Sequence, residues 1–338
     1  MSDATNDRVR WAVVGTGGIA RRTVGDLRAS GGAEVVAVAS RSQASADAFA
    51  AEFDLAGAYG SFEELCAADG VDAVYIGTPH STHFAYAKAA LEAGKHVLCE
   101  KPLTMTADES RELGAIAARH GRFLMEAMWM AFGPAVRRTR ELIAEGVIGE
   151  PRFLQAGLGY PVPADGPPRF WDASLGGGAL YDMGIYTVTL AQLLFGTPTD
   201  ITVRGEMRDD GVDLHETYQL DFASGASAQL VTSITFLVPP SGWIGGTQGS
   251  ISLNEPLFSP RSIRVTTGRP PAPPVSETIE FPAEELGYVP MFREVNAAIL
   301  AGELEHPTRP ISATVEALET MERIKALLAE HRDRQSSD

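Results

Sequence analysis

Cysteine is scarce in this chain. Two cysteines in 338 residues, Cys66 and Cys99, exclude a disulfide framework, and no C-x-x-C pair offers a metal cluster. Both are read as buried free thiols, and no metal site is expected. Basic charge is also short: 28 Lys and Arg face 44 Asp and Glu, a net charge of -16. No Lys/Arg-rich block breaks that excess. An acidic surface repels phosphate backbones and anionic bilayers, so neither nucleic acid nor membrane is an expected partner. No apolar run reaches the ~18 residues of a membrane span. The polar stretch Met1 to Arg10 lacks the apolar centre of a signal peptide. The expectation is a soluble, cytoplasmic protein. No internal repeat is visible.

What the chain does hold is 44% hydrophobic residues, ample for two domains of ordinary size. Up to residue 126, short apolar strands alternate with amphipathic helices. Strand-like runs cover Arg10 to Gly15, Glu34 to Ser40, Asp72 to Gly77, His96 to Glu100 and Arg122 to Ala127. Asp72 to Gly77 is nearly all apolar, as a strand covered on both faces requires. Helices are expected over Gly18 to Ser30, Ser42 to Phe53 and Thr82 to Ala93, with capping-box patterns at Ser61/Glu64 and Thr106/Glu109. This βαβ rhythm predicts a doubly wound parallel sheet. After Ala127 the rhythm changes to a helix, Gly133 to Glu145, a second helix, Gly178 to Phe195, and several alternating strands, with a hairpin turn at Ser224-Gly225. Two closing helices are expected, Tyr288 to Ala301 and Ser312 to His331. The reading is an α/β domain over residues 1–127 and an α+β domain with a mostly antiparallel sheet over 128–338, the last helices being free to pack back on the first. Two Pro-rich stretches, Pro161 to Pro168 and Arg269 to Pro274, read as rigid loops; the first also reads as a wall of the site.

Gly15-Thr16-Gly17-Gly18-Ile19-Ala20 follows a strand and opens a helix. That context makes G-x-G-x-x-A a dinucleotide cradle. Gly15 allows the tight turn, Gly17 admits the pyrophosphate, Ala20 lets helix and strand pack closely, and the helix N-terminus attracts phosphate. The second strand ends in Ser40-Arg41-Ser42 with no acid to bind ribose hydroxyls. Arg41 can pair with a 2′-phosphate and both serines can hydrogen-bond it, so NADP is favoured over NAD. Arg41 as a solvated residue at a helix start is the alternative.

Glu100-Lys101-Pro102 ends a sheet strand at the edge where such sheets bind ligands. Thr78, His80 and His83 follow another strand at the same edge; capping or packing roles compete there with cofactor contact. Asp182 and Tyr186 are four residues apart on one predicted helix face, close enough to act on one ligand.

GTGGIA, EKP, the Phe123 to Trp129 stretch and GGGALYDMGIY, in that order, resemble the glucose-fructose oxidoreductase/inositol dehydrogenase/MocA-type family over nearly the whole chain. A Tyr at position 186 resembles the dimeric dihydrodiol dehydrogenases, glucose-fructose oxidoreductases and xylose dehydrogenases within it. The resemblance implies a Rossmann domain, a C-terminal domain with an open sheet, and a homodimer or homotetramer through that sheet. It implies hydride transfer between NADP(H) and a secondary alcohol or carbonyl of a sugar, polyol or cyclic trans-diol. It also implies that Glu100, Lys101, Pro102, Thr78, His80, His83 and the motif residues through Gly18 and Ile19 line the cofactor, and that Lys101-Pro102 is cis. In the implied mechanism Tyr186 exchanges the proton, Asp182 orients a substrate hydroxyl, and the Lys101 ammonium lowers a phenol pKa that is otherwise near ~10. Trp129, Arg169 and Trp171 are candidates for the substrate pocket, Trp129 equally for the core. The rival is an NAD-dependent glycosidase of the same superfamily. Arg41→Ala is expected to lower the kcat/KM ratio of NADP⁺ over NAD⁺ by about tenfold, one charge-assisted contact; initial-rate measurements with both coenzymes check it.

Overall fold

The computed structural model describes residues 7–268, 271, 273–283 and 287–335. The Pro-rich stretch from Arg269 to Pro274 lies in part outside the described residues. The chain divides into two compact units, Met1–Trp129 with Gly287–Val315, and Met130–Leu286 with Glu316–Asp338.

The first unit begins with β1 (Val9–Val14), α1 (Gly18–Ser30), β2 (Ala33–Ala39), α2 (Gln43–Phe53), β3 (Gly57–Tyr59) and α3 (Phe62–Ala67). It continues with β4 (Ala73–Ile76), α4 (His83–Glu92), β5 (His96–Cys99), α5 (Ala107–His120) and β6 (Leu124–Glu126). The sheet order is β3-β2-β1-β4-β5-β6, and every neighbouring pair is parallel. This is the doubly wound order, with the chain reversing direction across the sheet between β1 and β4. β4, read from its unbroken apolar run, is buried at all of its positions because helices cover both faces. Val14, Ala39, Ile76, Leu91, Val97 and Leu113 join one core. Local chemistry sets the helix starts. Thr106 and Glu109 form a full capping box, Ser61 Oγ accepts the Glu64 N–H at 3.2 Å, and Ser42 Oγ accepts the Ser45 N–H at 3.4 Å. β3 carried no pattern long enough to read.

The second unit holds α6 (Pro134–Ala144), β7 (Pro151–Gly159) and α7 (Ile185–Phe195). β8 (Asp200–Met207), β9 (Asp213–Asp221), β10 (Ser227–Ser233), β11 (Gly242–Gly246), β12 (Gly249–Leu253), β13 (Ser262–Thr267) and β14 (Val275–Glu280) follow. They form one eight-stranded sheet in the order β14-β13-β12-β11-β7-β10-β9-β8. Every neighbouring pair is antiparallel except β7 with β10. Ser224-Gly225 makes the expected turn between β9 and β10, with Gly225 at φ 79°. One face packs inward through Leu154, Ala156, Leu230 and Ile244, all buried. The other is polar and open, with Gln219, Gln229, Gln155 and Trp243 side by side on four adjacent strands.

α8 (Val289–Leu300) returns to the first unit and closes it against α1 and β1. The Trp11 indole N–H donates to Asn296 Oδ1 at 2.9 Å, and Asn296 Nδ2 donates to Ser30 Oγ at 3.0 Å and to Gly31 O at 2.8 Å. The final helix, α9 (Ile311–Gln335), has its first residues in the first unit and the rest in the second. Among the described residues no helix is long and apolar enough to cross a membrane.

Within the first unit Glu126 and Arg309 form an ion pair with side chains 0% and 1% exposed. Arg309 Nε donates to Glu126 Oε2 at 2.8 Å, Nη2 lies 2.6 Å from the same oxygen, and Glu126 Oε1 accepts the Leu103 N–H at 2.9 Å. Removing one partner leaves the other charge buried, so Arg309→Met is expected to destabilise the first unit by about 3–5 kcal/mol. Urea unfolding followed by Trp11 fluorescence measures that loss.

Candidate active site

The glycine turn and the loop after β4 are each tied to the sheet. Gly15 N–H donates to Ala39 O at 2.9 Å, and Gly77 N–H donates to Val14 O at 3.1 Å, bringing the loops after β1 and β4 to one edge. Gly15 has φ 102°, and a Cβ there would sit 3.2 Å from Gly77 O. A side chain is thus excluded by backbone angle as well as by space. Ala20 is buried against the sheet, and Ile19 packs close enough that a Cβ on Gly77 would meet it at 3.2 Å. At the helix start the geometry opens. A Cβ on Gly17 or Gly18 would meet nothing within 4 Å. Gly17 is the N-cap, no side chain caps it, and the first turn of α1 carries no acid. Amide N–H groups and the positive helix end are left for an anion, and the residues present fit a dinucleotide pyrophosphate.

At the end of β2, Ser40 N–H donates to Tyr59 O at 3.0 Å, Ser42 caps α2, and Arg41 is exposed between them. After β4, Thr78 and Thr82 hydroxyls meet at 2.7 Å, and the half-buried His80 ring lies 5.7 Å from that of His83. His83 is fully buried between two carbonyls: Nδ1 lies 2.8 Å from Pro102 O and Nε2 2.9 Å from Thr78 O. A neutral imidazole donates to one of them and an imidazolium to both. Burial pushes its pKa down while the two carbonyls pull it up, and burial wins. The ring ties the loop after β4 to the loop after β5.

Glu100 turns into the core. Its Oε1 accepts from the hydroxyls of Tyr75 and, at 2.8 Å, Tyr288, and its Oε2 accepts the Lys101 N–H at 3.2 Å. Burial raises the carboxyl pKa, and the tyrosine hydroxyls and the Lys101 charge oppose the rise. Lys101, 9% exposed, follows at the C-terminal edge of the sheet, and the Lys101-Pro102 bond is cis. Trp129 stacks on Tyr288, ring centroids 4.8 Å apart, with the Arg22 guanidinium 5.6 Å from one ring and 5.1 Å from the other.

In the second unit Asp182 and Tyr186 lie in one helical stretch that does not begin as an α-helix. Leu180–Gly184 is a π-turn, closed by the Ile185 N–H on Leu180 O, and α7 follows directly. Four residues make nearly one full turn in the wider coil, so both side chains keep one face. Asp182 Oδ1 accepts from Arg169 Nη1 at 2.9 Å, with the two side chains 13% and 45% exposed. The Arg169 guanidinium lies 3.9 Å from the Phe170 ring centre. Trp171 Nε1 donates to Pro163 O at 2.9 Å, so the first Pro-rich stretch is pinned to the segment that carries Arg169. Tyr186 is buried, its ring 5.7 Å from that of Phe258.

The fold thus gathers Gly15, Gly17, Gly18, Ile19, Ala20, Thr78, His80, His83, Glu100, Lys101 and Pro102 in the first unit, and Arg169, Trp171, Asp182 and Tyr186 in the second. Tyr75, Tyr288 and Arg309, which brace the Lys101 loop, were not legible in the sequence. Their partners lie 25, 188 and 183 residues away.

A glycine-opened helix at the first strand of a doubly wound sheet, with a buried lysine at the same edge, defines a nicotinamide-dinucleotide oxidoreductase. Residues 9–128 match the oxidoreductase family with NAD-binding Rossmann fold, and residues 136–252 match the GFO/IDH/MocA C-terminal domain. The chain belongs to the GFO/IDH/MocA oxidoreductase family. It is 34% identical to the human trans-1,2-dihydrobenzene-1,2-diol dehydrogenase over 323 residues, 94% of this chain and 96% of that one. It is 37% identical to the mouse enzyme of that name over 270 residues, 79% and 80% of the two chains. A 3-ketoreductase from Actinomadura kijaniata, solved with NADP and TDP-benzene, superposes with a TM-score of 0.83 at 29% identity, covering 95% of this chain and 98% of that one. The aldose-aldose oxidoreductase of Caulobacter crescentus, at 24% identity and a TM-score of 0.86, covers 96% and 98% and shares the fold.

His83→Leu removes the ring that sits between the Pro102 and Thr78 carbonyls and its N–H donor. It is expected to cost the first unit about 1–3 kcal/mol and to weaken nicotinamide-dinucleotide binding, read by urea unfolding and by fluorescence titration.

Proposed function

We propose that this protein transfers hydride between NADP(H) and a secondary alcohol or carbonyl of a sugar, polyol or cyclic trans-diol, with Tyr186 as general acid/base. The observation that carries the reading is the shared face of Asp182 and Tyr186 at the π-to-α junction, with Asp182 held by Arg169. A bound nicotinamide would supply the hydride acceptor in oxidation and the hydride donor in reduction. The side chains handle the rest. Tyr186, as phenolate, takes the hydroxyl proton in oxidation, and as phenol gives it back in reduction. Lys101, at the sheet edge of the first unit, belongs to the same proposed set. Asp182 accepts from a hydroxyl neighbouring the reacting one, which suits vicinal diols and sugars. Arg169 and Trp171 stand in the same segment as candidate substrate contacts, and Trp129, stacked on Tyr288, shapes the first unit's edge.

NADP over NAD rests on Arg41 between Ser40 and Ser42, where an acid for ribose hydroxyls is missing. The Actinomadura kijaniata 3-ketoreductase, solved with NADP, points the same way. The dihydrodiol dehydrogenases, named for a trans-diol, support the substrate class. The open polar face of the second unit's sheet suits a second copy of the chain, and a homodimer or homotetramer through it, in the cytoplasm, belongs to the same reading.

The test is a screen of aldoses, inositols and trans-diols for NADP⁺ reduction, followed by Tyr186→Phe. The variant is expected to lose about 100-fold or more in kcat while NADP⁺ affinity holds. A near-native rate in Tyr186→Phe overturns the assignment, and nitrophenol release from nitrophenyl glycosides without net NADPH replaces it with a glycosidase.

A further inference from the structure

The helical stretch that carries Asp182 and Tyr186 starts without a cap of its own. Gly176, Gly177 and Gly178 precede it, and Ala179 at the N-cap offers no side-chain acceptor. A helix start buried in this way leaves amide N–H groups that need partners. They find one on another element. Asp213, the first residue of β9, is completely buried, and its Oδ2 accepts the Leu180 N–H at 2.6 Å. The approach depends on Gly178: at φ 124°, a Cβ there would lie 2.3 Å from Asp213 Oδ1. On the far side, Lys325 of α9 places Nζ 4.0 Å from that same oxygen and 4.9 Å from the centre of the Tyr181 ring.

The same strand holds the stretch a second time. Tyr218 Oη lies 2.5 Å from Thr187 Oγ1, and Thr187 Oγ1 donates to Gly184 O at 3.0 Å. Asp213 therefore fixes the stretch at Leu180 and Tyr218 fixes it at Gly184 and Thr187. Asp182 lies between the two grips and Tyr186 within the second. Glu216 stands between Asp213 and Tyr218 on β9, buried and bonded to the Thr232 hydroxyl. Burial raises the pKa of both carboxyls. Lys325 and the amides pull Asp213 back, while the charge on Asp213 pushes Glu216 further up.

We propose that Asp213 is a positioning residue: its carboxylate, seated between the Leu180 amide and the Lys325 ammonium, sets where Asp182 and Tyr186 stand for the reaction. The proposal rests on the function argued above. It predicts that Asp213 acts on turnover and not on the coenzyme.

Asp213→Ala and Asp213→Asn test it in the full chain. Displacing reacting groups by about 1 Å costs on the order of 100-fold, so Asp213→Ala is expected to lower kcat by roughly 10- to 100-fold. Asn keeps an acceptor of the same shape without the charge, and charge-assisted bonds are about twice as strong as neutral ones. It is expected to fall between parent and Ala, with NADP⁺ affinity unchanged in both. In a Tyr186→Phe background the Ala substitution is expected to cost little more, because the two act on one step. Hydrogen exchange needs no substrate: in Asp213→Asn the amides of residues 179–187 are expected to exchange faster, while those of β4 and β5 keep the parental rate. If Asp213→Ala does not fold, Asp213→Asn decides alone. Parental kcat with unchanged exchange in that variant overturns the proposal, as does an equal loss in the parent and Tyr186→Phe backgrounds. Near-native turnover in Tyr186→Phe itself rejects the underlying function instead, so the two failures are told apart.

Discussion

A helix begins with amide N–H groups that its own carbonyls cannot reach, and this chain resolves that constraint in two opposite ways. At α1 the start is left open. Glycines occupy the approach, no side chain caps it and no acid sits in the first turn, so the positive end faces outward. At the stretch from Ala179 the start is buried and filled by Asp213 from a strand. An open start attracts an anionic ligand; a filled one gives rigidity. Glycine serves both for contrary reasons. At Gly17 the missing side chain leaves room for something to arrive, and at Gly178 it leaves room for a carboxylate that is already there.

Buried carboxylates do the corresponding work in the first unit. Glu100 and Glu126 end neighbouring strands, and each holds a piece of the loop that bears Lys101. Glu100 accepts the Lys101 N–H, and Glu126 accepts the Leu103 N–H. Each is stabilised by donors from the returning segment: Tyr288 for Glu100, Arg309 and Thr314 for Glu126. Residues 287–315 thereby complete the sheet edge chemically as well as by packing. His83 closes the remaining side through the Pro102 and Thr78 carbonyls. The loop is determined from three directions, as rigid positioning of a side chain requires.

Local chemistry was legible in the sequence and distant chemistry was not. The βαβ alternation, the buried run at β4, the Thr106 capping box and the Ser224-Gly225 turn each depend on residues within a few positions of one another. All are present in the structure. β11 escaped notice because Pro239 and Pro240 precede it and Gly242, Gly245 and Gly246 fill it, so its strand signal is weak even though it pairs on both sides. The π-turn escaped because one widened turn hardly changes an apolar pattern read over seventeen or eighteen residues. Asp213 carried no signal in the sequence; its partner lies 33 residues upstream, and burial is what gives it meaning. Arg169 was legible as a polar group near the site, but its pairing with Asp182 was not.

The π-turn itself follows from these constraints. A widened turn loses helical regularity and persists where the surroundings hold it. Gly184 permits it, since a Cβ there would lie 2.7 Å from Leu180 Cδ1, the residue whose carbonyl closes the turn. β9 then holds it at both margins through Asp213 and Tyr218. In a regular α-helix four residues overshoot a full turn by about 40°; a widened turn between Asp182 and Tyr186 reduces that overshoot. The irregularity therefore changes the relative direction of the Asp182 carboxylate and the Tyr186 phenol. The cost of keeping it falls on a buried acid, two glycines and a tyrosine.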